Sequence, residues 1–423
     1  MTDPISPDLI LLGPILPAPM VTAPTVIDPT RDIIDASAVD PTLLSEAGMQ
    51  LACDPIALTQ ALVRMDTINL PGNEDQCTHH LAALLTAAGF ECKLVDFAPH
   101  RTSLVARIGG SPDKLPLVFT GHVDVVPLGS KPWTQAPFGG DIVDGKLYGR
   151  GTTDMKAGVA SFTAAAMDLA EQLKGSAGVI LIITAGEETG CEGAAHLVRQ
   201  PDIAAMLGQA GALVVAEPTS NRPLAGHKGA FWLRASAKGV TAHGSMPEHG
   251  ENAIYKLVPA LQAMETFDFG IPPHEIMGRP TLNVGTVIGG INVNSVPDAA
   301  SFTIDIRSVP GQDHQQIVEQ LRSALGPDVS LEVLLDLASV YTNKDDPWIR
   351  YLCDMCIEGE TAGSEAYFTD AAVLRSALGY PPTVILGPGE AHMAHQTDEY
   401  CRVDLLLASK EIYTRIIKDW CLA

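Results

Sequence analysis

Five short segments carry the residue types that could hold and use a metal ion. They are Gly121-His122-Val123-Asp124, Gly151-Thr152-Thr153-Asp154-Met155-Lys156, Ala185-Gly186-Glu187-Glu188-Thr189-Gly190, Ala216-Glu217-Pro218-Thr219 and His395-Gln396-Thr397-Asp398-Glu399. Each follows an apolar run or a glycine turn. Imidazole nitrogens and carboxylate oxygens are ligands that zinc-like ions take, and one carboxylate can bridge two ions roughly 3.5–4 Å apart. The chemistry implied is metal-assisted hydrolysis.

Each residue type has a task it could perform. His122 and Asp124 are two apart, so in extended backbone both project to one side. Asp124 could then accept the second ring N–H of His122 and fix its tautomer. Asp154 follows Tyr148-Gly149-Arg150-Gly151, a turn that permits close backbone approach. It could be a ligand, the N-cap of the next helix, or both. Glu187 and Glu188 are adjacent and point different ways. One can bind metal while the other takes a proton from a water whose pKa the metal lowers toward roughly 7. Glu217 precedes Pro218, which restricts it to extended backbone. The last ligand is His392 or His395, and spacing alone does not choose.

The elements that must position these side chains alternate between strand and helix. Helical spacing runs from Asp54 through Ile56, Leu58, Ala61, Leu62 and Met65 to a stop at Pro71-Gly72. A second helix is expected over 76–88, closed by Gly89, and an alanine-rich one over 158–173. Apolar runs at 115–120, 179–184, 212–216 and 383–386 have the continuous character of buried parallel strands. This alternation predicts an α/β fold, a mostly parallel sheet with helices on both faces, which binds ligands at the carboxyl ends of its strands. Residues 227–337 differ. Strand patterns at 231–237, 281–288, 300–306 and 329–335 and helical ones at 253–264 and 314–325 give a β-α-β-β-α-β order, that of a ferredoxin-like α+β unit. No acidic segment lies inside it, so it reads as an insertion. The expected organisation is a proline-rich extension (1–53), a first catalytic part (54–226), the insertion (227–337) and a second catalytic part (338–423).

Composition narrows the partners. The chain has 423 residues, enough for two domains, and 46% are hydrophobic, enough for full cores. A formal charge of -23 argues against nucleic acid or an anionic membrane surface as partner. No stretch approaches the roughly 20 apolar residues of a membrane span. The apolar piece Leu9–Leu16 lacks a preceding basic residue and is interrupted by Pro14, which makes a poor secretory signal. Eight scattered cysteines, with one C-x-x-C at Cys353 and Cys356 on an expected helix, fit free thiols in a cytoplasmic protein.

The segments Gly-His-Val-Asp-Val-Val-Pro at 121–127, Gly-Arg-Gly-Thr-Thr-Asp-Met-Lys at 149–156, Gly-Glu-Glu-Thr-Gly at 186–190, Glu-Pro-Thr at 217–219 and Ala-His-Gln-Thr-Asp-Glu-Tyr at 394–400 together resemble the M20 family of metallopeptidases. That group holds acetylornithine deacetylase, succinyl-diaminopimelate desuccinylase, aminoacylase and the glutamate-releasing carboxypeptidases. The resemblance covers residue 54 onward. It implies two divalent ions, zinc with cobalt or manganese as substitutes. His122 and Glu217 would bind one ion, Glu188 and His395 the other. Asp154 would bridge them across a cis Asp154–Met155 peptide, and Glu187 would be the general base, with Asp124 beside it in the catalytic set. Lys238-Gly239-Val240-Thr241-Ala242-His243-Gly244-Ser245 implies a homodimer in which His243 reaches the partner's site and supports the oxyanion. The insertion would then be the dimerisation and lid domain. Asn294, Arg307 and Gly389 match segments that imply substrate contacts, Arg307 by a bidentate grip on a carboxylate.

The implied reaction removes an N-acyl group, acetyl or succinyl, from an amino acid. A dipeptidase or carboxypeptidase with the same machinery is the alternative, and a non-catalytic binding protein on this scaffold would have no need to keep Glu187. Two departures stand out. The carboxylate that often precedes the Glu-Glu pair in the family is Gly186 here, and the proline-rich extension has no obvious counterpart.

Overall fold

The computed structural model describes residues 53–423; the expected extension therefore lies almost wholly outside the described residues. One large sheet runs, in spatial order, Glu91–Ala98, Arg101–Ile108, Val179–Thr184, Leu117–His122, Ala212–Val215, Thr383–Ile385, Leu224–His227 and Val340–Tyr341, with Gly363–Glu365 also paired to Leu224–His227. Its four central strands are parallel, and the strands flanking them are antiparallel. The α/β architecture expected from the alternating pattern is present, with parallel pairing concentrated where the apolar runs were continuous. Val179–Thr184 and Leu117–His122 are buried along their whole length.

The first helix is shorter than expected, Pro55–Val63, and stops well before Pro71; other boundaries moved by a residue or two. The strand expected over 115–120 runs over 117–122, because Pro116 has no N–H to give the ladder and Leu115 faces solvent. The ladder continues to His122, so that histidine ends the strand instead of following it. The alanine-rich helix is Ala157–Asp168, broken at Leu169 and resumed over Ala170–Leu173. The hairpin Glu91–Ala98 and Arg101–Ile108 had no expectation attached. Its second strand opens with Arg101, Thr102 and Ser103, polar residues buried because each finds a polar partner: Glu74, Asp96 and the Ala185 N–H.

The ferredoxin-like unit is also present. Ala230–Lys238, Thr281–Gly289, Ala299–Arg307 and Val329–Leu337 form a four-stranded antiparallel sheet, with Thr281–Gly289 and Val329–Leu337 at its edges. The helices Ala253–Glu265 and His314–Leu325 pack on it. Its own apolar core holds Phe231, Leu233, Leu257, Phe302, Ile304 and Leu321, separate from the core under the large sheet. All eight cysteines are unpaired thiols, and Cys353 and Cys356 lie on the helix Pro347–Cys356. Among the described residues no helix is long and apolar enough to cross a membrane.

Because Phe302 is 1% exposed at the centre of this smaller core, Phe302→Ala is expected to cost about 3–5 kcal/mol of stability. Chemical denaturation followed by circular dichroism checks this; an unchanged midpoint would contradict the separate core.

Candidate metal centre

The register of the central strands brings the site together. His122 lies opposite Thr184, and Thr120 opposite Val215. The chain thus leaves three neighbouring parallel strands at nearly the same level, carrying His122, then Glu187 and Glu188, then Glu217. The fourth, Thr383–Ile385, pairs with Ala212–Val215 and leads through Gly387-Pro388-Gly389 to His395. Gly389 packs between the two ligand loops: a Cβ there would lie 2.5 Å from the Thr153 carbonyl and 2.8 Å from Pro218.

Asp154 is at the centre. Its Oδ1 lies 3.1 Å from His122 Nε2 and its Oδ2 lies 3.3 Å from His395 Nε2. Each oxygen therefore faces a different histidine, the arrangement a bridging carboxylate needs. Glu188 Oε1 is 3.1 Å from His395 Nε2, and Glu217 Oε1 is 3.7 Å from His122 Nε2. His122, Asp154 and Glu188 can each offer a donor atom within 4.8 Å of the others. The structure brings His395, and not His392, against Asp154 and Glu188; His392 is exposed in the turn Ala391–Met393. The Asp154–Met155 peptide is cis.

Glu187 is buried, its Oε2 4.0 Å from His122 Nε2 and its Oε1 without a hydrogen-bond partner. Burial pushes the pKa values of Glu187 and Glu217 well above the carboxylate range, and neighbouring carboxylates add to it. Burial also raises Asp154, but hydrogen bonds with His122 and His395 outweigh it and hold that carboxyl low. His395 is pushed up to about 10 by Asp154 and Glu188. In His122, burial acts downward, yet Asp154 and the surrounding carboxylates keep it well above its usual value. Two imidazoles, four converging carboxylates and an unpartnered buried oxygen make a donor set that fits divalent cations.

Asp124 differs from expectation. The His122 Nδ1–H donates to the Asp124 main-chain carbonyl at 2.9 Å, while the Asp124 carboxylate is 3.6 Å away. That carboxylate instead accepts from the main-chain N–H groups of Glu187 and Glu188, both at 3.1 Å. The backbone carbonyl thus orients the ring, and the side chain holds the glutamate turn.

Two residues of the last motif do work that spacing did not reveal. Glu399 accepts from Gly151 N at 3.0 Å, Thr153 N at 2.8 Å and Asp154 N at 3.1 Å, and pairs with Arg150 at 2.6 Å. It fastens the whole Asp154 turn. Asp398 accepts from Thr134 and Gln135 and fixes the neighbouring loop. Asp370, buried beside the centre, accepts from Thr184. The acidic Asp398-Glu399 pair adjoining a candidate ligand was the available signal; Asp370 sits in a segment with none.

Three candidates are not brought to the centre within this chain. His243 and Asn294 sit in paired loops of the insertion, with Gly244 N donating to the Asn294 carbonyl at 2.7 Å. The His243 ring bonds Ser245 in its own loop. Arg307 lies 3.1 Å from Asp305, its guanidinium 5.9 Å from the Phe368 ring centroid.

The model of peptidase family M20/M25/M40 matches residues 118–419. The chain belongs to this family. A probable succinyl-diaminopimelate desuccinylase of Staphylococcus epidermidis is 31% identical, covering 90% of this chain and 99% of the relative. An acetylornithine deacetylase of Myxococcus xanthus is 32% identical, covering 85% and 96%. Among solved structures, an M20 metallo-carboxypeptidase from Sulfolobus solfataricus aligns with TM-score 0.69 at 17% identity over 86% of this chain and 98% of its own. A Bacillus subtilis protein described as a dinuclear metal-binding M20 peptidase aligns with TM-score 0.63 at 16% identity over 88% and 99%. At such identities the two structures speak for the M20 fold.

The carboxylates that raise His122 and His395 favour the protonated rings in the metal-free centre, and a metal must displace those protons. Zinc addition in weak buffer is expected to release protons, with apparent affinity falling as pH drops. A proton-silent titration would contradict this. His395→Ala is expected to lower the metal count per chain, measured by elemental analysis, more than His392→Ala does.

Proposed function

We propose that this M20 hydrolase removes the N-acyl group, of the acetyl or succinyl class, from a small amino acid, using two divalent ions, zinc in the first instance. The observation that carries this reading is the Asp154 carboxylate offering one oxygen toward each of two histidines, with a buried glutamate, Glu187, beside it. His122 and Glu217 would hold one ion, His395 and Glu188 the other, and Asp154 both. When bound, the ions polarise the acyl carbonyl and acidify a water.

The chain's own groups then have distinct tasks. Glu187, with a free oxygen and a pKa raised by burial, takes the proton from the attacking water and hands it to the departing amine. Arg307, released from Asp305, grips the amino acid's carboxylate by its fork. Asn294 and Gly389 line the substrate's path. The relatives named as desuccinylase and deacetylase at 31% and 32% identity support an acyl substrate over a peptide. The structural neighbours named as dipeptidases keep dipeptide cleavage as the second reading.

Residues 227–337 act, on this reading, as a separate dimerisation domain. Val287, Ile288, Ile291 and Val293, with Ile254, Tyr255 and Val258 on the adjacent helix, are exposed at or beside an edge strand. Apolar side chains exposed together in this way mark an association surface. A second copy seated there would bring its own His243 to support the oxyanion. The eight unpaired thiols support a cytoplasmic location.

The deciding experiment is a release assay with N-acetyl, N-succinyl and N-formyl amino acids beside dipeptides, on metal-free protein with zinc, cobalt or manganese added back. Metal-dependent release from one N-acyl class is expected; cleavage of dipeptides alone would move the substrate class. Glu187→Gln is expected to keep its metal and lose turnover by at least about a hundredfold, the lower end for a general base. In heterodimers of Glu187→Gln with His243→Ala, partial recovery of activity is expected; none in verified heterodimers would count against a shared site.

A further inference from the structure

The Asp124 carboxylate that accepts the Glu187 and Glu188 amides is itself held from behind. Asn69 Nδ2 donates to Asp124 Oδ2, and Arg101 Nη2 donates to Asn69 Oδ1. Arg101 is tied in turn to Glu74, by Nη2 at 2.8 Å and Nε at 3.1 Å. Asn69, Glu74, Arg101 and Asp124 are all buried, at 6%, 0%, 5% and 0% exposure. The Phe97 ring lies 4.8 Å from the guanidinium, and Glu192 sits 3.6 Å from it.

This chain of contacts meets the position where the sequence departs from the family pattern. Gly186, directly before the glutamate pair, has φ +72. A Cβ there would lie 2.9 Å from the Phe97 ring and 3.2 Å from Arg101 Nη2. The room a carboxylate side chain would take at 186 is filled by Phe97 and Arg101.

We propose that Arg101, acting through Asn69 and Asp124, is a positioning residue that sets the main-chain placement of Glu187 and Glu188, and that the glycine at 186 exists to admit it. The physical case has three parts. The two amide N–H groups take one Asp124 oxygen each, Glu187 N on Oδ1 and Glu188 N on Oδ2, and Asn69 adds a side-chain donor to Oδ2 that ties the carboxylate to the elements behind it. An amide side chain wedged between a cation and an anion is polarised in one sense, donor toward Asp124 and acceptor toward Arg101, so it cannot flip without losing both bonds. Arg101 in turn is immobilised by its fork on Glu74, at the head of the helix Asp75–Ala87, and by the face of Phe97 on the neighbouring strand. A general base displaced by even a fraction of an ångström loses rate without losing substrate affinity.

The inference rests on Glu187 being the base, and the test separates the two. Asn69→Ala is expected to lower kcat about 10–100-fold, the effect of removing an outer partner, with KM and metal count near wild type. In the metal-free protein, amide hydrogen exchange in the peptide spanning 185–190 is expected to quicken. Arg101→Lys, which keeps the charge but not the fork, is expected to retain more kcat than Arg101→Met. The double variant Asn69→Ala/Arg101→Met is expected to be no slower than the slower single variant. Should Arg101→Met fail to fold, Asn69→Ala and Asn69→Leu carry the test. Variants that melt earlier but keep wild-type kcat and exchange, or whose effects multiply, would overturn the relay. Glu187→Gln is measured alongside. Activity surviving in it removes the base, while the exchange result still judges the relay.

Discussion

Mutual repulsion among buried carboxylates is the constraint around which this molecule is organised. Asp124, Asp154, Glu187, Glu188, Glu217 and Asp370 crowd the carboxyl ends of a few parallel strands, all but excluded from water. Ions are costly to bury unless paired and hydrogen-bonded. The fold answers with main-chain N–H groups, hydroxyls and two buried arginines, and leaves the remainder to cations. The upward push on Glu187 and Glu217 comes first from burial, and the neighbouring carboxylates add to it.

Both acidic turns are fastened by the same device. A carboxylate from elsewhere in the chain collects main-chain N–H groups of the turn and is itself tied to an arginine. Glu399 does this for the Asp154 turn, with Arg150 bound directly. Asp124 does it for the Glu187–Glu188 turn, with Asn69 interposed before Arg101. Fixing the main chain by its own donors places a side chain's root without occupying the ligand atoms at its tip. Those atoms stay free for the chemistry.

Much of this was legible in the sequence. His122, Asp154, Glu187, Glu188 and Glu217 each stood after a strand or turn signal, and register alone brings them level. The β-α-β-β-α-β order of the insertion was readable because its strands alternate and its helices have clear faces. What escaped was long-range polar pairing. Arg101, Glu74 and Asn69 carried no signal of their own, because burial and partners come from folding and leave no period in the sequence. Asp124 shows the limit of local geometry. Its spacing from His122 was right for a ring contact, but the main-chain carbonyl occupies that place and frees the carboxylate for the turn beyond. The same spacing could not choose His395 over His392, which needed the Gly387–Gly389 loop.

The Glu399 fastening spans a separation of 245 residues to Asp154, across the whole insertion. During synthesis at ~5–20 residues per second, roughly 12–50 s pass between the emergence of the turn and of the residue that pins it. The nascent chain therefore carries its acidic strand ends for most of its time on the ribosome without the clasp that sets Asp154. The ferredoxin-like unit, contiguous in sequence and with its own core, can fold in that interval. The centre therefore waits for the C-terminal segment that carries His395 and Glu399. A chain that stops short of His395 has the ligand residues of the first three strands but lacks both that histidine and the carboxylate that holds the Asp154 turn.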